Sequence, residues 1–104
     1  MFRDALGGLL KLHILHHARR QPVYGVWLIR ELARHGYRLS PGRLYPTLHA
    51  LEAQGLLERE DRVVAGKVRK YYWATPEGVQ ALEQSKGLIL KLVQEVLQEQ
   101  KPGP

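Results

Sequence analysis

Residues 40–57, Ser-Pro-Gly-Arg-Leu-Tyr-Pro-Thr-Leu-His-Ala-Leu-Glu-Ala-Gln-Gly-Leu-Leu, constrain the fold more than any other stretch, because they mark both ends of one helix. Ser40 stands where an N-cap hydroxyl accepts a bond from an orphan N–H, and Pro41 stands at N1, where a missing N–H costs nothing. Gly55 stands where a left-handed residue ends a helix, and Leu56-Leu57 opens the next element. Leu44, Leu48 and Leu51 recur at intervals of four and three, which makes a narrow apolar stripe. The remaining face carries Arg43, Tyr45, Thr47 and His49, with no carboxylate before Glu52. A first turn that is neutral or positive suits phosphates and base edges. Pro46 lies inside the helix and removes the bond to Gly42, so a kink or a tightened first turn is expected.

The elements before it are short. Residues 2–18 hold Phe2, Leu6, Leu9, Leu10, Leu12, Ile14 and Leu15, a helix apolar around much of its girth and so buried on more than one side. His13 and His17 share a face at i, i+4 and could ligate zinc. No cysteine and no obvious carboxylate supplies the remaining ligands, so the ligand count argues against a metal. Imidazoles and arginines near a helix C-terminus also suit its dipole. Gln21-Pro22-Val23 breaks the helix, and Val26 to His35 forms the next, with Leu28, Ile29 and Leu32 inward and Gly36 as its stop. Tyr24 and Trp27 are read as core fillers rather than a ligand platform. Tyr37-Arg38-Leu39 reads as a short connecting strand.

After Gly55, the β-rich runs Leu57 to Val64 and Val68 to Ala74 flank Ala65-Gly66-Lys67 and read as a hairpin. Its tip gathers Arg62, Lys67, Arg69 and Lys70. A three-residue loop sets Arg62 opposite Lys70; a two-residue loop sets it opposite Arg69. Like charges oppose either way, which destabilises a free hairpin and favours an anionic ligand at the tip. The competing reading is neutralisation by Glu58, Glu60 and Asp61. Tyr72 and Ala74 are expected to face the core.

Thr75-Pro76-Glu77 repeats the cap-plus-proline start and opens a helix to about Gln98, roughly 35 Å long. Val79, Leu82, Ile89, Val93 and Val96 alternate at threes and fours, missing only at Lys86, and Leu88, Leu92 and Leu97 widen the stripe. The preceding elements offer too little surface to cover so long a helix, so a second copy of the chain is the expected cover. Gly87 marks a bend or a close crossing. Lys101–Pro104 reads as a disordered tail.

The order helix, helix, helix, hairpin, long helix gives a mainly α fold with a small β-hairpin. It is a winged helix-turn-helix with a C-terminal dimerisation helix, in which residues 41–54 enter the major groove and 62–70 form the wing. Residues 1–75 make the winged helix, 76–100 the dimerisation helix of the same compact unit, and 101–104 the tail. A length of 104 residues suits this one domain, and the net charge of +6 favours an acidic partner. With no cysteine and no long apolar run near the N-terminus, disulfides, thiolate metal sites and a membrane partner are excluded, and the expected location is cytoplasmic. No cofactor is implied. Ser40 and Ser85 lack a nucleophile–base arrangement, so an enzyme is not expected.

Tyr24-Gly25, Leu39-Ser40-Pro41-Gly42, Leu44-Tyr45-Pro46, Leu48-His49, Leu51-Glu52, Gly55-Leu56-Leu57 and Arg69-Lys70-Tyr71-Tyr72 together resemble the PadR family of bacterial transcriptional regulators, over about Leu9 to Gly78. The resemblance implies a homodimer held by the last helix with help from the first. It also implies repression through a palindromic double-stranded DNA operator, relieved by a small-molecule effector. Matching positions imply DNA contacts by Ser40, Gly42, Tyr45 and Lys70, to which the physical reading adds Arg43, Thr47, His49, Lys67 and Arg69. Leu6, Leu9, Leu82, Ile89, Val93 and Val96 are the expected dimer contacts. Two features depart from the family pattern: the wing loop is short, and no tryptophan follows Trp73 to stack an effector on the last helix. The alternative function is a winged-helix scaffold that binds protein rather than specific DNA.

Overall fold

The computed structural model describes the backbone of residues 3–98 and the side chains of residues 7–98. Phe2, the side chain of Leu6 and the tail 101–104 therefore lie outside the described residues. Helix α1 runs Arg3–Arg20, α2 Gly25–Ala33 and α3 Pro41–Ala53, strands β1 Leu57–Val64 and β2 Lys67–Ala74 form the hairpin, and α4 runs Pro76–Leu97. This is the winged-helix order expected from the sequence, with α4 as its long last helix.

Both glycine stops operate as read. At Gly55, with φ +76°, the Leu56 N–H donates to the Leu51 carbonyl and the Gly55 N–H to Glu52, both at 2.9 Å, closing the end of α3. Gly36, with φ +90°, closes α2 the same way, through Tyr37 to Leu32 and Gly36 to Ala33. Helix α3 runs on through Pro46. Its stripe is buried as expected, Leu44, Leu48 and Leu51 being at most 1% exposed. They meet Leu10, Ile14, Leu15, Ala18, Val23, Leu28, Leu32, Leu57, Tyr72 and Leu82 in one core, with Trp27 packed against it.

Three expectations are corrected. Residues 37–39 form no strand; instead Val23 pairs with Tyr72 through reciprocal backbone bonds of 2.8 Å, which anchors β2 to the turn after α1. β1 occupies one backbone edge of β2, and the other edge, at Tyr72, takes the chain leaving α1. Leu82, expected on a dimer face, is 6% exposed and belongs to the chain's own core, since the first half of α4 packs on α1. Ser40 has the extended backbone of an N-cap, but its hydroxyl makes no cap bond. Thr75 does cap α4, accepting from the Gly78 N–H at 3.0 Å while donating to the Gly55 carbonyl at 2.6 Å.

The hairpin adopts the two-residue register. Arg62 opposes Arg69, Val63 opposes Val68 and Val64 opposes Lys67, so Lys67 belongs to β2 and not to the loop. Ala65 and Gly66 both have positive φ, +52° and +77°, as a primed two-residue turn requires. An alanine in the left-handed region costs about 1 kcal/mol, a cost asparagine largely avoids. Ala65→Asn is therefore expected to raise stability by up to about 1 kcal/mol, read from the denaturant midpoint at unchanged slope.

Candidate nucleic-acid interface

The face of α3 opposite its leucine stripe is open to solvent. Ser40, Pro41, Gly42, Arg43, Pro46 and His49 are exposed, and Tyr45 and Thr47 are half-buried at its flanks. The apolar stripe orients this face, because a helix that sinks residues 44, 48 and 51 must lift residues 42, 46 and 49. Ser40 makes no side-chain cap bond and Pro41 has no N–H, so the Ser40 hydroxyl and the Gly42 N–H stand at the positive end of the helix dipole, while the Arg43 and Leu44 N–H groups donate to the Ser40 carbonyl.

The predicted residues fall into two groups. Tyr45 and His49 line a cleft of about 360 Å³ with Tyr24, Gly25, Val26, Val68, Arg69 and Lys70, so the end of the wing and one flank of α3 share one concavity. Arg43 and Thr47 lie on the other flank. Arg43 lines a groove with Tyr37, Arg38 and Leu39, and the Thr47 hydroxyl donates back to the Arg43 carbonyl at 3.1 Å. Lys67 sits beside the turn, opposite Val64.

Tyr45 is placed by a close approach. Its ring and hydroxyl lie where a Cβ on Gly25 would be, so the glycine at the start of α2 admits the tyrosine of α3. Tyr24, the residue before, carries the Arg69 guanidinium 4.7 Å above its ring and meets Tyr71 edge-on at 5.4 Å. The aromatic ring thus holds an arginine in place without neutralising it.

The charges at the tip divide between the two sequence readings. Glu60 accepts from Arg62, with Nη2 at 3.1 Å, and Asp61 lies 3.5 Å from Arg59. Lys67, Arg69, Lys70 and Arg43 make no ion pair among the described residues. Glu60 and Asp61 of β1 therefore serve arginines of their own strand, and Lys67, Arg69 and Lys70 of β2 stay without an ion pair among the described residues. Sequence reasoning missed Val26, Val68 and Arg38 as neighbours of these groups. It took Tyr24 as core; the adjacent Tyr24-Gly25 pair was the signal for a ring beside a close approach.

Comparison with known proteins follows this geometry. Residues 14–84 match the model of the transcriptional regulator PadR-like family. A transcriptional regulator of Mycobacterium tuberculosis is 56% identical over 95 residues, which span 91% of this chain and 89% of that protein. A crystal structure of a PadR family transcriptional regulator from Eggerthella lenta is 34% identical and superposes with a TM-score of 0.80, covering 92% of this chain and 85% of the other. A PadR-like regulator from Bacillus cereus, also 34% identical, gives a TM-score of 0.76 over 91% and 97% of the two chains.

Proposed function

This chain belongs to the PadR-like family of transcriptional regulators, and from that membership we propose that it binds a palindromic DNA operator as a homodimer and represses transcription there. The observation that carries the reading is one cleft that joins the open, carboxylate-poor face of α3, through Tyr45 and His49, to Arg69 and Lys70 of β2, neither of which is ion-paired among the described residues. In this reading α3 enters the major groove, and the Ser40 hydroxyl and the Gly42 N–H take a phosphate at the helix start. Tyr45, His49, Arg43 and Thr47 flank the inserted face. Lys67, Arg69 and Lys70 run along the adjacent backbone, where cations supply affinity with little sequence information. An effector that relieves repression would act through the dimer. No described helix is long and apolar enough to cross a membrane.

The test begins with selection of bound sequences from random DNA, which supplies the operator. On that operator, log affinity should fall with log salt by about 0.9 per neutralised phosphate, so several contacts per subunit give a steep line. Arg69→Ala should flatten the slope by about one for each subunit that loses the contact. Tyr45→Phe keeps the ring against Gly25 and removes only the hydroxyl; about tenfold weaker binding is expected, the worth of one hydrogen bond of 1.4 kcal/mol. A flat salt response, or wild-type affinity in both variants, rejects the assignment.

A further inference from the structure

The histidines of α1 were set aside on the sequence because no carboxylate accompanied them. The fold supplies one. Glu31 of α2 and His35, two residues past the end of that helix, lie one turn apart and converge on His17 of α1. One ligand atom from each of the three lies within 4.8 Å of the other two. Glu31 Oε2 is 3.1 Å from the Arg34 guanidinium, while Oε1 is 3.6 Å from His35 Nε2, too long for a hydrogen bond. None of the three spends its inward-facing ligand atom on a hydrogen bond among the described residues.

We propose that His17, Glu31 and His35 form a binding site for one divalent transition metal of the zinc class, with a fourth position open to water. The donor set fits that class. Imidazole nitrogen favours zinc, copper, nickel and iron over calcium and magnesium, and two imidazoles with one carboxylate is a set zinc accepts with its fourth position open. Bonds of about 2.0–2.1 Å at tetrahedral angles place ligand atoms roughly 3.4 Å apart; the three lie within 4.8 Å of one another and Glu31 Oε1 is 3.6 Å from His35 Nε2, so only a small inward movement is needed. His35 is exposed and can make that movement by side-chain rotation.

The surroundings favour it. Trp27 meets the His17 ring edge-on at 5.4 Å and His13 meets the His35 ring edge-on at 5.5 Å, so packing orients both imidazoles. Occupancy would tie α1 to α2 across their seam. The site stands on its own geometry, whether or not the chain binds DNA.

Calorimetric titration of the chelator-stripped full chain with Zn²⁺ tests it. One ion per chain at micromolar affinity is expected, with a rise in Tm of about 13 °C at a hundredfold excess over Kd. Co²⁺ should give the intense visible absorption of a tetrahedral site. Glu31→Gln and His35→Gln should each weaken Zn²⁺ by tenfold or more, whereas His49→Gln, on the α3 face, should leave it unchanged. Absence of zinc binding by the wild-type chain overturns the proposal, as does wild-type affinity in both Glu31→Gln and His35→Gln. Far-ultraviolet circular dichroism of the two variants, both altered on the surface, should match that of the wild type.

Discussion

Gly78→Ala is expected to destabilise the chain by about 3 kcal/mol, although alanine is the better helix former by about 1 kcal/mol. Gly78 is buried in the first turn of α4, where an added Cβ would fall on the Leu56 carbonyl and within 3.2 Å of a Leu15 methyl. The carbonyl has no room to retreat. The Leu56 N–H is held by Leu51, its carbonyl accepts from the Thr75 N–H at 3.1 Å, and the Gly55 carbonyl accepts from the Thr75 hydroxyl. Four elements share this knot: the end of α3, the start of β1, the cap of α4 and the core face of α1. Relief of the clash must break the Gly78–Thr75 cap or shift β1. At roughly 5 °C per kcal/mol for a domain of this size, Tm should fall by about 15 °C. Gly87→Ala is the matched control. An added Cβ there meets nothing within 4 Å, so the same substitution should stabilise by about 1 kcal/mol. Equal signs for the two substitutions would show that the knot at Thr75 carries no weight.

That knot also shows which parts of the molecule can be read from the chain alone. Helix α3 is legible because its signals are local: a proline at N1, three leucines in step and a glycine that must turn left-handed. Thr75-Pro76 is legible for the same reason, and so is Tyr72 as a core residue, through strand alternation. What escapes is decided between elements. A single residue pairing, Val23 with Tyr72, has no periodicity to announce it, and the extended look of Tyr37-Arg38-Leu39 drew the assignment instead. Gly25 reads as a helix start, yet its role is to admit Tyr45 from a helix twenty residues away. Leu82 fits the α4 stripe in spacing; the packing of α1 on the first turns of α4 assigns it to the core. At the wing, composition alone cannot say which arginine each carboxylate will serve. Alternation along the strand settles it, setting Glu60 and Arg62 on one face of β1, while Arg69 lies over the ring of Tyr24.

Val93→Asp should convert the proposed dimer to monomers and weaken operator binding more than any single change on α3. The second half of α4 supports the dimer reading: beyond Leu82, Leu88, Ile89, Leu90, Leu92, Val93, Val96 and Leu97 are all at least 36% exposed, on a stretch that nothing else among the described residues covers. Leu9 of α1 is 42% exposed and adds to the same apolar surface. An apolar strip of that extent calls for a partner, and threes and fours are the spacing of helix-on-helix packing. Two-fold symmetry places each substitution in the interface twice, so two unpaired carboxylates would be buried together. Each costs several kcal/mol, enough to raise the dimer Kd on the order of a thousandfold. The monomer should be unharmed, because Val93 is 45% exposed within its own chain and the core ends at Leu82. Sedimentation should therefore show a folded monomer with unchanged helical content. Its affinity for the full operator should drop to that for one half-site, since two weak heads joined by α4 otherwise bind with the gain of linkage. A wild-type chain that sediments as a monomer at tens of micromolar would instead assign the α4 strip to a different protein and favour the scaffold reading. A Val93→Asp chain that stays dimeric would move the interface off the second half of α4, and with it the spacing at which the two α3 helices meet DNA.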